Sequence, residues 1–185
     1  LSDGESIQAP NPVKRSLNKL RRAQRILSRR VKGSANRRKQ ADKVARIHAR
    51  VANVRNDFLH KLTTQLCREN QVIAIEDLNV SGMLKNHKLA RAISDVGWGE
   101  FRRQLGYKAE IYNNDILVVN RWEPTSKRCS SCGEVKESLG LYEREYECES
   151  CGNVMDRDHN AAINILARAT REVTPVETPS GVVEA

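Results

Sequence analysis

Two pairs of cysteines constrain this chain more than any other feature. Cys129 and Cys132 form one C-x-x-C pair, and Cys148 and Cys151 form a second after fifteen intervening residues. Two residues between thiols let both sulfurs of a tight turn face one centre. Four thiolates then complete a tetrahedral shell around Zn²⁺ and leave no open position for a substrate, so the ion is structural. Gly133 and Gly152 directly follow the second cysteine of each pair, where such a turn needs a positive φ. The alternative, disulfides, belongs to oxidising compartments. The N-terminus shows no basic segment leading into an apolar stretch, so a cytoplasmic, nucleoid-associated protein with a zinc ribbon at 127–153 is expected. The fifth cysteine, Cys67, is expected to be a buried or half-buried thiol that behaves as a small hydrophobe.

Charge is distributed as unevenly as the cysteines. Between Val13 and Arg55 stand 16 Lys and Arg against a single acidic residue, Asp42. That segment carries +15 in a chain of net charge +9, which leaves −6 for the remainder. A solvated helical surface is the ordinary reading of a short charge run. An imbalance of this size predicts an arm that meets nucleic-acid phosphates. The candidates are Lys14, Arg15, Arg21, Arg22, Arg29, Arg30, Arg37 and Arg38. No run of eighteen apolar residues occurs, so no membrane-spanning helix is expected.

Periodicity organises the rest. Ser2-Asp3-Gly4-Glu5 has the chemistry of a hairpin tip, Ile7 suits a returning strand, and Pro10 and Pro12 then break regular structure. A basic helix is expected over about 13–31, with Leu17, Leu20, Gln24 and Leu27 on one face. Gly33-Ser34 turns the chain into a longer helix over about 36–69. There Val44, Ile47, Val51, Val54, Phe58, Leu62 and Leu66 recur at steps of three or four. Residues 71–75 and 116–119 read as short buried strands. Between them Ser94-Asp95 is expected to cap a helix carrying Trp98, Phe101, Leu105, Ala109 and Tyr112 on one face. Asp158 to Ala169 reads as a last packed helix, and 172–185, without periodicity, as a disordered tail.

Four acidic residues follow or precede these elements. Glu76 comes directly after an apolar strand, where a carboxylate is poorly hydrated unless it meets a cation or a basic partner. Asp156 and Asp158 stand just before the last helix, and Asp158 reads equally well as its N-cap. Asp77 reads as an exposed turn residue. Carboxylates converging on Mg²⁺ would suit phosphodiester hydrolysis. Spacing alone does not establish that convergence for residues this far apart.

The run Val72-Ile-Ala-Ile-Glu-Asp-Leu-Asn-Val80 followed by Ser81-Gly82-Met83 resembles the second RuvC motif of the TnpB (OrfB) family of insertion-sequence proteins. Ala92 to Arg102 resembles that family's next helix, Cys129 to Cys151 its zinc ribbon, and Asp156 to Asn164 its third RuvC motif. The basic helices resemble its linker between the first and second motifs. The resemblance implies an α/β, RuvC-like (RNase H-type) fold with an inserted helical hairpin and a four-cysteine zinc ribbon. It also implies the chemistry of an RNA-guided DNA endonuclease related to type V CRISPR effectors. By motif position, Glu76 and Asp158 match two of three catalytic carboxylates, with Asp156 the alternative to Asp158. The first, expected in a Gly-Ile-Asp-x-Gly strand, has no match here, and Asp3 lies in turn chemistry.

The implied organisation is a hairpin end from a partial RuvC sheet at 1–12, a basic hairpin at 13–69, a core at 70–126 and 154–171, the ribbon at 127–153 and the tail at 172–185. The implied partners are DNA, a guide RNA and an N-terminal portion of the parent protein. Mg²⁺ enters only where the carboxylate site is complete. The other reading is a nucleic-acid-binding or regulatory zinc-ribbon protein derived from such an enzyme, without cleavage.

Overall fold

The computed structural model describes residues 1–140 and 142–173. They divide into two compact units, one of residues 8–71 and 79–115, the other of 1–7, 72–78 and the segment from 116 onward.

The first unit is helical. Helix α1 (Pro12–Ser28) starts with Pro at its first position, where the missing N–H is no loss. Gly33, with φ of 83°, turns the chain, and the Ser34 hydroxyl caps α2 (Ala35–Glu69) by accepting the Arg37 N–H at 3.2 Å. The two helices pack along each other. Gln40 donates to the Ala23 carbonyl at 2.9 Å from a buried position. Arg37 donates to the carbonyls of Leu27 and Arg30 at 2.9 and 3.3 Å, which satisfies the C-terminal end of α1.

Short helices α3 (Val80–Met83) and α4 (Ala90–Val96) lead to α5 (Trp98–Tyr112), which packs on α2. This packing places 79–115 with the hairpin rather than with the sheet, unlike the expected core of 70–126. The stripe that α2 buries most deeply is Val51, Leu59, Thr63 and Cys67. Val51 is buried as expected, while Leu59, Thr63 and Cys67 sit one residue beyond the expected Phe58, Leu62 and Leu66, which are half-buried. The partner face on α5 combines Leu105 and Ala109 with Gln104 and Lys108. The Lys108 ammonium donates at 2.7 Å to the His60 carbonyl and to the hydroxyls of Thr63 and Thr64. These bonds allow a cation to sit in a helix interface. Burial lowers the Lys108 pKa and raises that of nearby Cys67.

Asp95 does not cap α5. Gly97, at φ 79°, holds that position, and Asp95 is 3% exposed within α4. Its carboxylate instead accepts the N–H groups of Val13 and Lys14 at the start of α1, and Arg55 donates to it from α2 at 3.4 Å.

In the second unit, β1 (Val72–Glu76) and β2 (Asp115–Val119) form a two-stranded sheet. Backbone bonds from Asp115 to Gln71 and from Asp77 to Val119, both 2.9 Å, make the pair parallel. Of its residues only Ile73 and Val119 are fully buried, so the strands are less enclosed than their composition suggests. Strands β3 (Glu145–Glu147) and β4 (Val154–Asp156) pair antiparallel in the ribbon, with Tyr146 opposite Met155. Helix α6 (Arg157–Val173) packs against β1, β3 and β4.

Residues 1–5 form the expected turn. Gly4 N–H donates to the Leu1 carbonyl, and Asp3 accepts the Glu5 N–H at 2.8 Å. Ile7 is in irregular chain, not a strand. Helix α6 continues through Val173, and the remainder of the expected tail lies outside the described residues. No helix among the described residues is long and apolar enough to cross a membrane.

Candidate metal centre and nucleic-acid surface

The two cysteine pairs are built alike. In the first, Cys129 N–H donates to the Glu134 carbonyl at 2.7 Å and Gly133 N–H returns to the Cys129 carbonyl at 2.9 Å. In the second, Cys148 and Asn153 pair at 2.8 Å, and Gly152 returns to Cys148 at 2.9 Å. Gly133 and Gly152 take φ of 83° and 71°, as each knuckle demands. The four Sγ atoms lie within 4.8 Å of one another. Cys129 and Cys151 are 3.7 Å apart, and Cys132 and Cys148 3.6 Å. Sulfurs each ~2.3 Å from a central ion stand ~3.8 Å apart in a tetrahedron, whereas a disulfide requires ~2.05 Å. The geometry is that of a four-thiol metal site.

Electrostatics point the same way. Burial opposes ionisation of Cys129, but the N–H groups of Cys132 and Ser131 and the adjacent thiols outweigh it and hold that thiol at about 6. The Glu134 N–H favours the Cys132 thiolate, yet the neighbouring thiols push it up to about 12. Four sulfurs this close ionise together only around a cation.

Helix α6 grips the first knuckle. Asn160, fully buried, accepts the Ser130 N–H at 2.9 Å and donates to the Arg128 carbonyl at 2.7 Å. One turn on, Asn164 donates to the carbonyls of Thr125 and Arg128 at 2.9 and 2.7 Å. Sequence reasoning missed this pair. The available signal is two asparagines four residues apart among Ala161, Ala162 and Ile165, on the packed side of a helix.

The carboxylates behave differently from one another. Asp156, not Asp158, caps α6: its Oδ1 accepts the N–H groups of Asp158 and His159, both at 2.9 Å. Asp158 therefore stands in the first helical turn with its side chain 73% exposed, beside Arg157 at 3.4 Å. Asp77 is half-buried and ion-paired with Arg121, whose Nε lies at 2.9 Å, rather than standing free in a turn. Among the described residues, no hydrogen bond or ion pair reaches the half-buried Glu76 carboxylate, and desolvation raises its pKa. The four thiols are the one group of three or more ligand side chains brought together among the described residues; Glu76, Asp156 and Asp158 form no such cluster.

On the hairpin, Lys14, Arg15, Arg21, Arg22, Arg29, Arg30 and Arg38 are exposed, while Arg37 is half-buried and engaged at the end of α1. Between α1 and α2 runs a groove of about 720 Å³. Arg15, Lys19 and Arg22 line it from α1, and Lys43, Arg46 and Arg50 from α2, over a floor that includes Ile26, Ile47 and Val51. The last three cations and Lys19 are additions that only the packing of the two helices reveals.

Two family models account for most of this chain. One described as a probable transposase of the OrfB type matches residues 1–87, and one described as a Cas12f1-like TNB domain matches 98–165. A protein of Streptomyces pristinaespiralis, provisionally named an RNA-guided DNA endonuclease, is 54% identical over 90% of this chain and 41% of its own length. This chain belongs to the TnpB (OrfB) family.

Two further relatives extend the similarity. A protein of Escherichia coli K12 with the same provisional name is 40% identical over 90% of this chain and 45% of its own length. A TnpB-like protein of Methanocaldococcus jannaschii is 32% identical over 76% of this chain and 32% of its own length. The chain thus spans less than half the length of these curated relatives. Among solved structures, Cas12f1 in a complex with guide RNA and target DNA matches 84% of this chain and 41% of its own, with a TM-score of 0.58 at 18% identity. A Cas12f ternary complex gives 0.59 at 20% identity over 84% of this chain and 33% of its own. The expected α/β fold is shared with these neighbours, and the expected four-cysteine ribbon is present in this chain.

Proposed function

We propose that this chain is the nuclease portion of a transposon-encoded, RNA-guided DNA endonuclease, with a zinc ion in its four-thiol site. The observation that carries the nuclease reading is Glu76. A half-buried carboxylate at the end of a parallel strand, raised in pKa and without a described partner, is what a hard cation would stabilise. Asp158, exposed at the start of α6, is the second candidate ligand; Asp156, spent on capping the helix, is the weaker one. Mg²⁺ at such a site would activate water and stabilise the leaving oxygen of a phosphodiester. Two carboxylates would make only part of that cage, and neither Glu76 nor Asp158 belongs to a group of three or more ligand side chains among the described residues. The isolated chain is therefore expected to bind nucleic acid without cutting it. A guide RNA, the target DNA and an N-terminal portion of the parent protein complete the machine.

The test is a graft. This chain replaces the matching segment of the Streptomyces pristinaespiralis relative, and guide-directed DNA cleavage is measured with Mg²⁺. Cleavage is expected in the graft, at background in the isolated chain, and to be lost in Glu76→Ala or Asp158→Ala. A graft that cuts equally well with Glu76→Ala would overturn the assignment.

A further inference from the structure

His159 ties together two parts of the chain that lie 157 residues apart. Its Nε2 stands 3.1 Å from the Ser2 carbonyl oxygen. A carbonyl only accepts, so Nε2 carries the proton and donates it. The half-buried ring also packs on Gly4. A Cβ added at Gly4 would stand 3.3 Å from the ring Cε1, and Gly4 takes a φ of 90°. A glycine is what lets the turn close onto the imidazole.

Both sides of this contact are fixed. On one side, the turn is closed by its own bonds: Gly4 N–H to the Leu1 carbonyl at 3.3 Å, and Glu5 N–H to Asp3 Oδ1 at 2.8 Å. On the other, Asp156 Oδ1 accepts the N–H groups of both His159 and Asp158 at 2.9 Å. One cap therefore sets the backbone of the histidine and of the neighbouring candidate metal ligand together. The turn, the imidazole and the Asp158 backbone form one hydrogen-bonded path. An incidental surface histidine would present its ring to solvent, not to a carbonyl and a closed glycine turn.

We propose that His159 is a positioning residue: its imidazole clamps the 1–5 turn onto the first turn of α6, so that the chain entering at Leu1 in the parent protein is held beside Asp158. The role rests on the endonuclease reading above, in which an N-terminal portion completes the site. His159 acts through the turn it holds, not on the reacting atoms.

The clamp is tested apart from cleavage. In the zinc-loaded isolated chain, the backbone order parameters of Gly4 and Glu5 should lie near the rigid value of about 0.85 and fall below about 0.6 in His159→Ala. His159→Gln, whose amide nitrogen reaches the place of Nε2, should keep the turn rigid, and the shorter His159→Asn should not. In the graft, His159→Ala should slow guide-directed cleavage by up to roughly 10²-fold, the cost of about 1 Å of misplacement, and His159→Gln should restore most of the rate. A turn that stays rigid in His159→Ala, or loosens only when zinc is lost as well, overturns the clamp. Parent-rate cleavage in the His159→Ala graft overturns the positioning role, as do equal losses in His159→Ala and His159→Gln. A graft that fails to cut with His159 intact sinks the endonuclease reading instead, and the order parameters still decide the clamp.

Discussion

The Asp95 carboxylate caps helix α1 from far along the chain, accepting the N–H of Val13, 82 residues earlier, at 3.0 Å. Helix α1 needs this help. Its own N-cap residue, Asn11, sits in the left-handed region and makes no capping bond, and its first turn contains no acidic residue. Asp95 also accepts the Lys14 N–H at 3.1 Å, and Arg55 donates to its backbone carbonyl at 3.0 Å. One buried carboxylate thereby ties α1, α2 and α4 together. Asp95→Ala should destabilise the chain by roughly 2–4 kcal/mol, because two N–H groups lose their acceptor and Arg55 loses its carboxylate partner while keeping the backbone carbonyl. Asp95→Asn should cost less. Urea unfolding measures both, and an Asp95→Ala midpoint equal to that of the parent would refute the latch.

The metal site should hold one zinc per chain in freshly reduced protein. Cys129→Ser should lower zinc occupancy and loosen the ribbon, since binding and local folding are coupled. Asn160→Ala leaves the Ser130 N–H without its partner and removes one of two bonds to the Arg128 carbonyl. It should cost on the order of 1–3 kcal/mol and speed zinc transfer to a chelator. Elemental analysis that finds no zinc, or transfer unchanged in Asn160→Ala, would count against this account.

The hairpin should bind nucleic acid with a steep salt dependence. Replacing Arg15, Lys19, Lys43 and Arg46 with Gln removes four of the groove cations. The slope of log K against log salt should flatten by up to roughly 3–4, at about 0.9 per phosphate contact on a duplex. Arg37→Gln should instead lower stability, because its guanidinium holds the end of α1. An unchanged slope in the fourfold variant would show that phosphate is met elsewhere.

Glu76 should oppose stability wherever it is ionised. Burial raises its pKa in the folded chain, so the folded state holds the proton to higher pH than the unfolded chain does. The cost is absent below the ordinary carboxylate range, grows as pH rises through the raised value, and is constant above it. In metal-free buffer Glu76→Gln should therefore melt higher than the parent at neutral pH, with the advantage fading in acid. A lower melting temperature at neutral pH would show that the carboxylate has a partner in solution.

The sequence by itself determined what is local. The C-x-x-C spacing closes each knuckle through hydrogen bonds four and five residues apart, so the metal shell was legible from residue order, as were the extents of α1, α2 and both strands of the parallel pair. Charge counting located the basic hairpin for the same reason: half of the chain's 32 Lys and Arg lie in one contiguous segment, 13–55. The tertiary structure decided which polar groups are consumed. Periodicity assigns Asp95 to the helix that follows it, but a carboxylate serves whichever N–H groups packing brings near, and these belong to α1. Asp156 and Asp158 are indistinguishable as caps in sequence, and only the backbone path from β4 into α6 turns Asp156 onto the helix end and leaves Asp158 exposed. Gln104, Lys108, Asn160 and Asn164 carry no apolar signal. They are buried because their hydrogen-bond partners lie about thirty residues or more away in the chain, a distance that no local pattern encodes.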